Sequence, residues 1–136
     1  MVTNQMNTPY PGEDFEKVMI HYYKAINYLR LNDTEKALIE ARRLNLKLQL
    51  LNDKYKNKNK YVVDAFGLNL IGIIYQADHD YNNAFIAYRN ALEAYENSYA
   101  KQFNINAPIQ LKKDLIYTAY QSGFAEEGLF YENKFD

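Results

Sequence analysis

The sequence predicts an all-α protein of about six helices paired as hairpins, and three observations carry that expectation. Apolar residues recur at steps of three and four, the period of an amphipathic helix. Pro9, Pro11 and Gly12 precede the first periodic segment, Pro108 opens the fifth and Gly123 closes it, where helix punctuation belongs. Tyr28, Asp33, Ala37 and Leu38 recur 47 residues later as Tyr75, Asp80, Ala84 and Phe85. A fixed period of this length marks a repeated supersecondary unit. Sustained strand alternation and hairpin-turn dipeptides are absent from the sequence.

Each helix can be placed. The first, about Glu13 to Leu31, carries Phe15, Val18, Tyr22, Ala25 and Leu29 on one face, with Glu13, Asp14 and Glu16 in its first turn, where negative charge suits the helix dipole. Asn32-Asp33 makes the turn, with Asp33 as N-cap of the second helix. That helix, Thr34 to about Tyr55, buries Ala37, Ala41, Leu44, Leu48, Leu51 and Tyr55; Leu38, Leu46 and Leu50 widen the face for a second neighbour. Lys54, Lys56, Lys58 and Lys60 then alternate through a loop. The third helix, about Tyr61 to Ala77, carries Val63, Phe66, Leu70, Ile73 and Ala77 as its apolar stripe. Asp78-His79-Asp80 turns the chain into a fourth helix from Tyr81 to about Gln102, with Ala84, Tyr88, Ala91, Tyr95 and Tyr99 inward. Two shorter helices follow, about Pro108 to Ser122 and Ala125 to Lys134.

The length of 136 residues suits one domain. Residues 1–12 read as a disordered or extended lead-in, and 13–136 as the helical domain, with units at about 13–55, 61–102 and 108–134. Sixteen basic residues against 17 acidic ones give a net charge of −1, so no global field favours nucleic acid or anionic lipid. The absence of cysteine excludes disulfides, thiolate metal sites and cysteine nucleophiles. Apolar runs fall far short of the roughly 20 residues that span a bilayer, so no direct membrane insertion is expected of this chain. Residues 1–12 lack the apolar core of a secretory signal, and the start reads as entering a protein midway, after a signal or an upstream domain. The wealth of Asn, Lys, Ile and Tyr fits an AT-rich genome before it fits a function.

Leu68, Ile71, Gly72 and Tyr75, followed by Tyr81, Ala84, Tyr88, Ala91 and Leu92, resemble the tetratricopeptide repeat. Small residues at 72 and 84 allow two helices to cross closely, and Tyr75 and Tyr88 fill the space beside them. Ala25, Tyr28, Ala37, Ala41 and Leu44 repeat the pattern more weakly, with Lys24 where an apolar residue is usual. Leu115, Ala119, Gly123 and Gly128 outline a degenerate third unit. The resemblance implies hairpins stacked in a right-handed solenoid. A narrower likeness spans residues 9 to 95. Pro9-Tyr10-Pro11-Gly12-Glu13-Asp14-Phe15, His21-Tyr22-Tyr23-Lys24-Ala25, Glu40-Ala41-Arg42-Arg43-Leu44-Asn45 and Asp64-Ala65-Phe66-Gly67 resemble a poorly characterised family of Gram-negative lipoproteins with tetratricopeptide-like helices. That likeness implies export, a lipid anchor on an upstream cysteine, further helices upstream and a periplasmic location; the alternative is cytoplasmic.

Residue chemistry points away from catalysis. His79 between Asp78 and Asp80 reads as an inter-helix turn with Asp80 as N-cap, because adjacent side chains in a turn diverge and rarely hold one ion. His21 has no second His at helical spacing, and Glu40 with Arg43 reads as a helix-surface pair. Glu13-Asp14 and Glu126-Glu127 stand at helix starts, and no nucleophile elbow, phosphate loop or dinucleotide fingerprint is present. The expectation is a non-catalytic protein–protein interaction scaffold with no cofactor, no metal and no catalytic residue. By resemblance to other tetratricopeptide arrays, its inner wall carries Met19, Tyr22, Ile26 and Arg30 from the first unit and Phe66, Asn69, Ile73 and Gln76 from the second. This mix of apolar anchors with amide and guanidinium donors suits a protein or peptide partner. The alternative is a structural or oligomerisation segment of a larger lipoprotein, including a homo-oligomer. A nucleic-acid reading rests on the lysine loop with Tyr55 and Tyr61 beside it, and ranks last.

Overall fold

A computed structural model describes residues 12–54, 61–99 and 106–136, with side chains over 16–51, 65–97 and 106–136. Those residues form six α-helices and no strand. They are α1 (Gly12–Arg30), α2 (Thr34–Lys54), α3 (Tyr61–Ala77), α4 (Tyr81–Ala94), α5 (Ile109–Gln121) and α6 (Ala125–Phe135). The expected boundaries hold to within a residue or two at most ends. Gly12, assigned to the lead-in, belongs to α1, and α4 ends its α-helical part at Ala94 and continues as a π-helical turn, Tyr95–Tyr99. The rest of the lead-in, the lysine loop between α2 and α3, Tyr55 and Gln102 lie outside the described residues.

One turn closes all three hairpins. The second residue past α1, α3 and α5 sits in the left-handed region: Asn32 at φ 59°, His79 at φ 61° and Gly123 at φ 81°. The amides of Asn32, His79 and Gly123 donate to the carbonyls of Leu29, Gln76 and Tyr120. The next amides, of Asp33, Asp80 and Phe124, reach back to Tyr28, Tyr75 and Ala119. This is the Schellman arrangement, which satisfies helix-end carbonyls and reverses the chain. Asp33 then caps α2 by accepting from the Lys36 amide at 3.1 Å, and Asp80 caps α4 by accepting from the Asn83 amide at 3.2 Å. Phe124 makes no such side-chain bond at α6. The 47-residue echo of Tyr28 and Asp33 in Tyr75 and Asp80 is therefore the echo of a turn.

The helices pack mainly in consecutive order, α1 on α2 through α5 on α6, with α1 also touching α3. One cluster joins Val18, Tyr22 and Ala25 to Ala37, Ala41, Leu44, Leu48 and Leu51, closed by Leu70, Ile71 and Ile74 of α3. A second joins Ala84, Phe85, Tyr88, Ala91 and Leu92 to Leu111, Leu115 and Ala119, with Phe124, Tyr131 and Phe135 at its margin. Leu68 and Tyr75 of α3 pack against both clusters.

Two expectations about faces are corrected. Leu70 of the expected α3 stripe is buried, but Phe66, Ile73 and Ala77 are exposed, and Ala65, Gly67, Ile71, Gly72 and Ile74 are buried instead. The apolar content of this helix is nearly all round, so period alone does not choose its buried side. α2 does have two neighbours, but Leu46 and Leu50 stay out of the core and are more than half exposed.

Small residues set the spacing. Ala37, Ala84 and Gly128 each stand five residues past the left-handed turn residue, and all three are buried. Gly72 faces the ring of Tyr88, where an added Cβ would stand 2.5 Å from ring carbons. Gly128 faces the ring of Tyr120 at 2.8 Å by the same measure. The Tyr88 hydroxyl donates to Gln76 Oε1 at 2.7 Å, and the Tyr120 hydroxyl donates to Glu132. Counted from the turn, Gln76 and Tyr120 occupy one position and Tyr88 and Glu132 another. The two hairpins thus make the same cross-helix bond with the tyrosine on opposite helices. Gly72→Leu is expected to push α4 from α3 and lower stability by roughly 1–3 kcal/mol or more. Thermal unfolding followed by circular dichroism checks this, with Ile73→Leu on the exposed side as a near-neutral control.

Candidate functional site

α1 and α3 lie side by side, and between them the expected wall residues separate into a floor and a rim. Tyr22 is the floor: it is only 2% exposed, buried by α2 and α3. Gly67 makes this possible, since a Cβ there would come within 2.8 Å of Leu48 Cδ1 and 3.2 Å of the Tyr22 hydroxyl. Phe66 lies over the floor, its ring centroid 5.2 Å from that of Tyr22, yet it keeps 55% of its surface exposed. Ile73 follows two turns on, 41% exposed, with half-buried Asn69 between. Met19 and Ile26 are half-buried against the first cluster, and Arg30 is exposed at the end of α1. Gln76 is half-buried and already engaged by Tyr88, so its amide is oriented rather than free. Four of the eight expected residues thus offer apolar surface that solvent or a partner can reach: Met19, Ile26, Phe66 and Ile73.

The fixed end of this wall is the Tyr88 phenol. Burial pushes its pKa well above 10.0, and the Asp114 carboxylate of α5 pushes it further. Burial also raises Tyr95.

Glu40 departs from the sequence reading. It is 2% exposed rather than on the surface. Its Oε1 accepts from the Arg43 guanidinium at 3.2 Å, and its Oε2 lies 3.5 Å from His21 Nδ1. The signal was in the spacing: Ala37, Glu40, Ala41 and Leu44 follow the i, i+3, i+4, i+7 pattern of a buried face. Arg43 itself remains exposed, a cation held above a buried carboxylate.

The other polar candidates do not converge. His79 sits in its turn, 3.0 Å from the Tyr81 hydroxyl, and the Tyr81 ring meets Tyr117 of α5 edge-on at 5.9 Å. Among the described residues no three His, Asp or Glu side chains group as a metal site requires. Glu126 and Glu127 stand in the first turn of α6. The side chains of the lysine loop lie outside the described residues.

Comparisons with protein-family profiles, curated proteins and solved structures give no match to this chain.

Two outcomes test the site's electrostatics. A phenol that keeps its proton in the fold above the pKa of the unfolded chain makes stability fall with rising pH. The Tyr88 contribution is therefore whole below pH 10 and is lost as pH climbs toward the raised folded value. Chemical denaturation across that range should show unfolding free energy dropping, with a slope reduced by up to about 1.4 kcal/mol per pH unit in Tyr88→Phe. At neutral pH, Arg43→Ala should cost roughly 1–2 kcal/mol because it strips a hydrogen bond from a buried carboxylate. Arg42→Ala, an exposed neighbour, should stay within about 0.5 kcal/mol.

Proposed function

We propose that this chain is a non-catalytic protein–protein interaction scaffold whose binding surface is the α1–α3 wall. In this reading its hairpins stack as a right-handed tetratricopeptide-like solenoid, with the first helix of each unit on the inner side. The observation that carries it is the pair Phe66 and Ile73. Two large apolar side chains stand exposed on one face of α3, over a buried Tyr22 floor, with Asn69 between them to fix polarity. Few apolar anchors with a sparse set of polar groups describe the usual groove for an extended peptide or a helix. The competing idea, that these residues are core under the C-terminal helices, has less support. Among the described residues, the cluster containing Tyr22 takes none beyond α4, and α5 and α6 pack on α4 and on each other.

The reading requires no cofactor and no metal, and it places no catalytic residue. The likeness to exported lipoproteins favours a cell-envelope role in the periplasm, with a cytoplasmic role as the alternative. Among the described residues no helix is long and apolar enough to cross a membrane.

Peptides selected from a displayed library on the wild-type protein provide the test. Phe66→Ser with Ile73→Ser should weaken their binding roughly tenfold or more, while helix content stays unchanged because both side chains are exposed. Equal binding to the double variant would move the site elsewhere.

A further inference from the structure

Among the described residues, α2 and α6 each expose apolar side chains outside the core and the α1–α3 wall, flanked mainly by basic groups on α2 and mainly by carboxylates on α6. The first surface is on α2. Ile39, Leu46 and Leu50 are 40%, 58% and 55% exposed, and their spacing of seven and four residues puts them in one line along the helix. Arg43 stands within that line and Lys47 beside it. A hollow of about 220 Å³, lined by His21, Arg43, Leu46, Lys47 and Leu50, runs between α1 and α2. A second hollow of similar size lies on the other side of Arg43, beside Ile39 and Lys36. Each has room for a side chain or two rather than for a small-molecule ligand, for which about 300 Å³ or more is usual.

The second surface is on α6. Leu129 and Phe130 are 55% and 60% exposed, with Glu126 and Glu127 before them and Glu132 and Asp136 after. A hollow of about 240 Å³ between α5 and α6 is lined by Ile116, Phe135 and Asn133 with the same Glu132 and Asp136. The charge contrast is local to these surfaces: over the whole first hairpin, residues 12–54, eight basic side chains stand against seven acidic ones, while residues 106–136 hold five acidic against three basic.

These surfaces belong to the first and last hairpins, and α3 and α4 stand between them in the packing order. They complement each other in charge, and both present apolar side chains. We propose that they meet between molecules: α6 of a second copy of this chain docks on the α2 stripe, Leu129 and Phe130 against Leu46 and Leu50, and the α6 carboxylates facing Arg43 and Lys47. A net charge of −1 leaves little long-range repulsion between copies. The two patches differ, so the contact is heterologous. Each added copy leaves a free stripe at one end and a free α6 at the other, and the assembly extends or closes into a ring rather than stopping at two. This contact does not involve Phe66 or Ile73, so it stands apart from the peptide-binding wall.

Sedimentation of the full 136-residue chain over a range of protein and salt concentrations tests the proposal. The expected mass grows past the dimer as protein concentration rises and falls back as salt screens the charges. Lys47→Glu and Glu126→Lys should each weaken association roughly tenfold or more. Mixing these two variants should restore a complex, because the intact α6 of Lys47→Glu meets the intact α2 stripe of Glu126→Lys, and the two reversed patches also face each other. Leu50→Ser and Phe130→Ser, both at exposed positions, should weaken it without loss of helix signal, and Phe66→Ser should leave it unchanged. A monomer throughout would overturn the proposal and leave these patches to other proteins. So would a species that stops at the dimer and responds to α2 changes alone, or a mixture of the two charge variants that stays monomeric.

Discussion

Helices in this protein approach closely where one side of the contact has almost no side chain, and most of the fold follows from that spacing. Gly72 under Tyr88 and Gly128 under Tyr120 leave room for a flat ring, and nothing larger than hydrogen fits beneath either. With the ring seated, the phenol oxygen is carried across to one acceptor on the facing helix, Gln76 in one hairpin and Glu132 in the other. The polar bond fixes the register of the two helices, and the ring fixes their separation. Gly67 does the same work between hairpins, where α3 settles onto Leu48 and Tyr22. Without that approach Tyr22 would not be a floor, and Phe66 would have no aromatic surface to lie on.

The turns were legible in the sequence because they depend on local chemistry. Asp33 and Asp80 announce themselves as caps, and Gly123 as a helix end. Asn32 and His79 carry a Cβ, yet they are among the residue types that enter the left-handed region most readily after glycine. They are set there by the two backbone bonds on either side of each turn. Helix extents were legible for the same local reason. The buried side of α3 was not. Its apolar residues surround the helix, and only the placement of α2 and α4 decides that Ile74 goes inward while Ile73 stays out. For the candidate wall, the repeat pattern named residues of α1 and α3, and only the structure divides them into the Tyr22 floor, the exposed rim and the engaged Gln76.

Glu40 shows how an ionic group can hide inside a correct helix assignment. Its partners, Arg43 one turn along the same helix and His21 on α1, bracket the carboxylate from two directions. A buried charge of this kind is a poor source of net stability, since its desolvation offsets much of the attraction. Its hydrogen-bond donor, Arg43, is on the same helix, so a shift of α1 against α2 would change only the 3.5 Å approach of His21 Nδ1. The same geometry holds the Arg43 head at the surface between two hollows.

The consecutive order of helix packing bears on how the chain reaches this state. Most contacts join residues near one another in sequence, and short loops close at little entropic expense. A topology of that kind folds quickly, with each hairpin able to form around its own turn before docking on the next. The middle hairpin, whose Leu68 and Tyr75 join both clusters, then has the most to gain from neighbours on either side. Hydrogen exchange should accordingly be slowest in α3 and α4 and should quicken toward α1 and α6, where each helix has fewer neighbours to hold it closed.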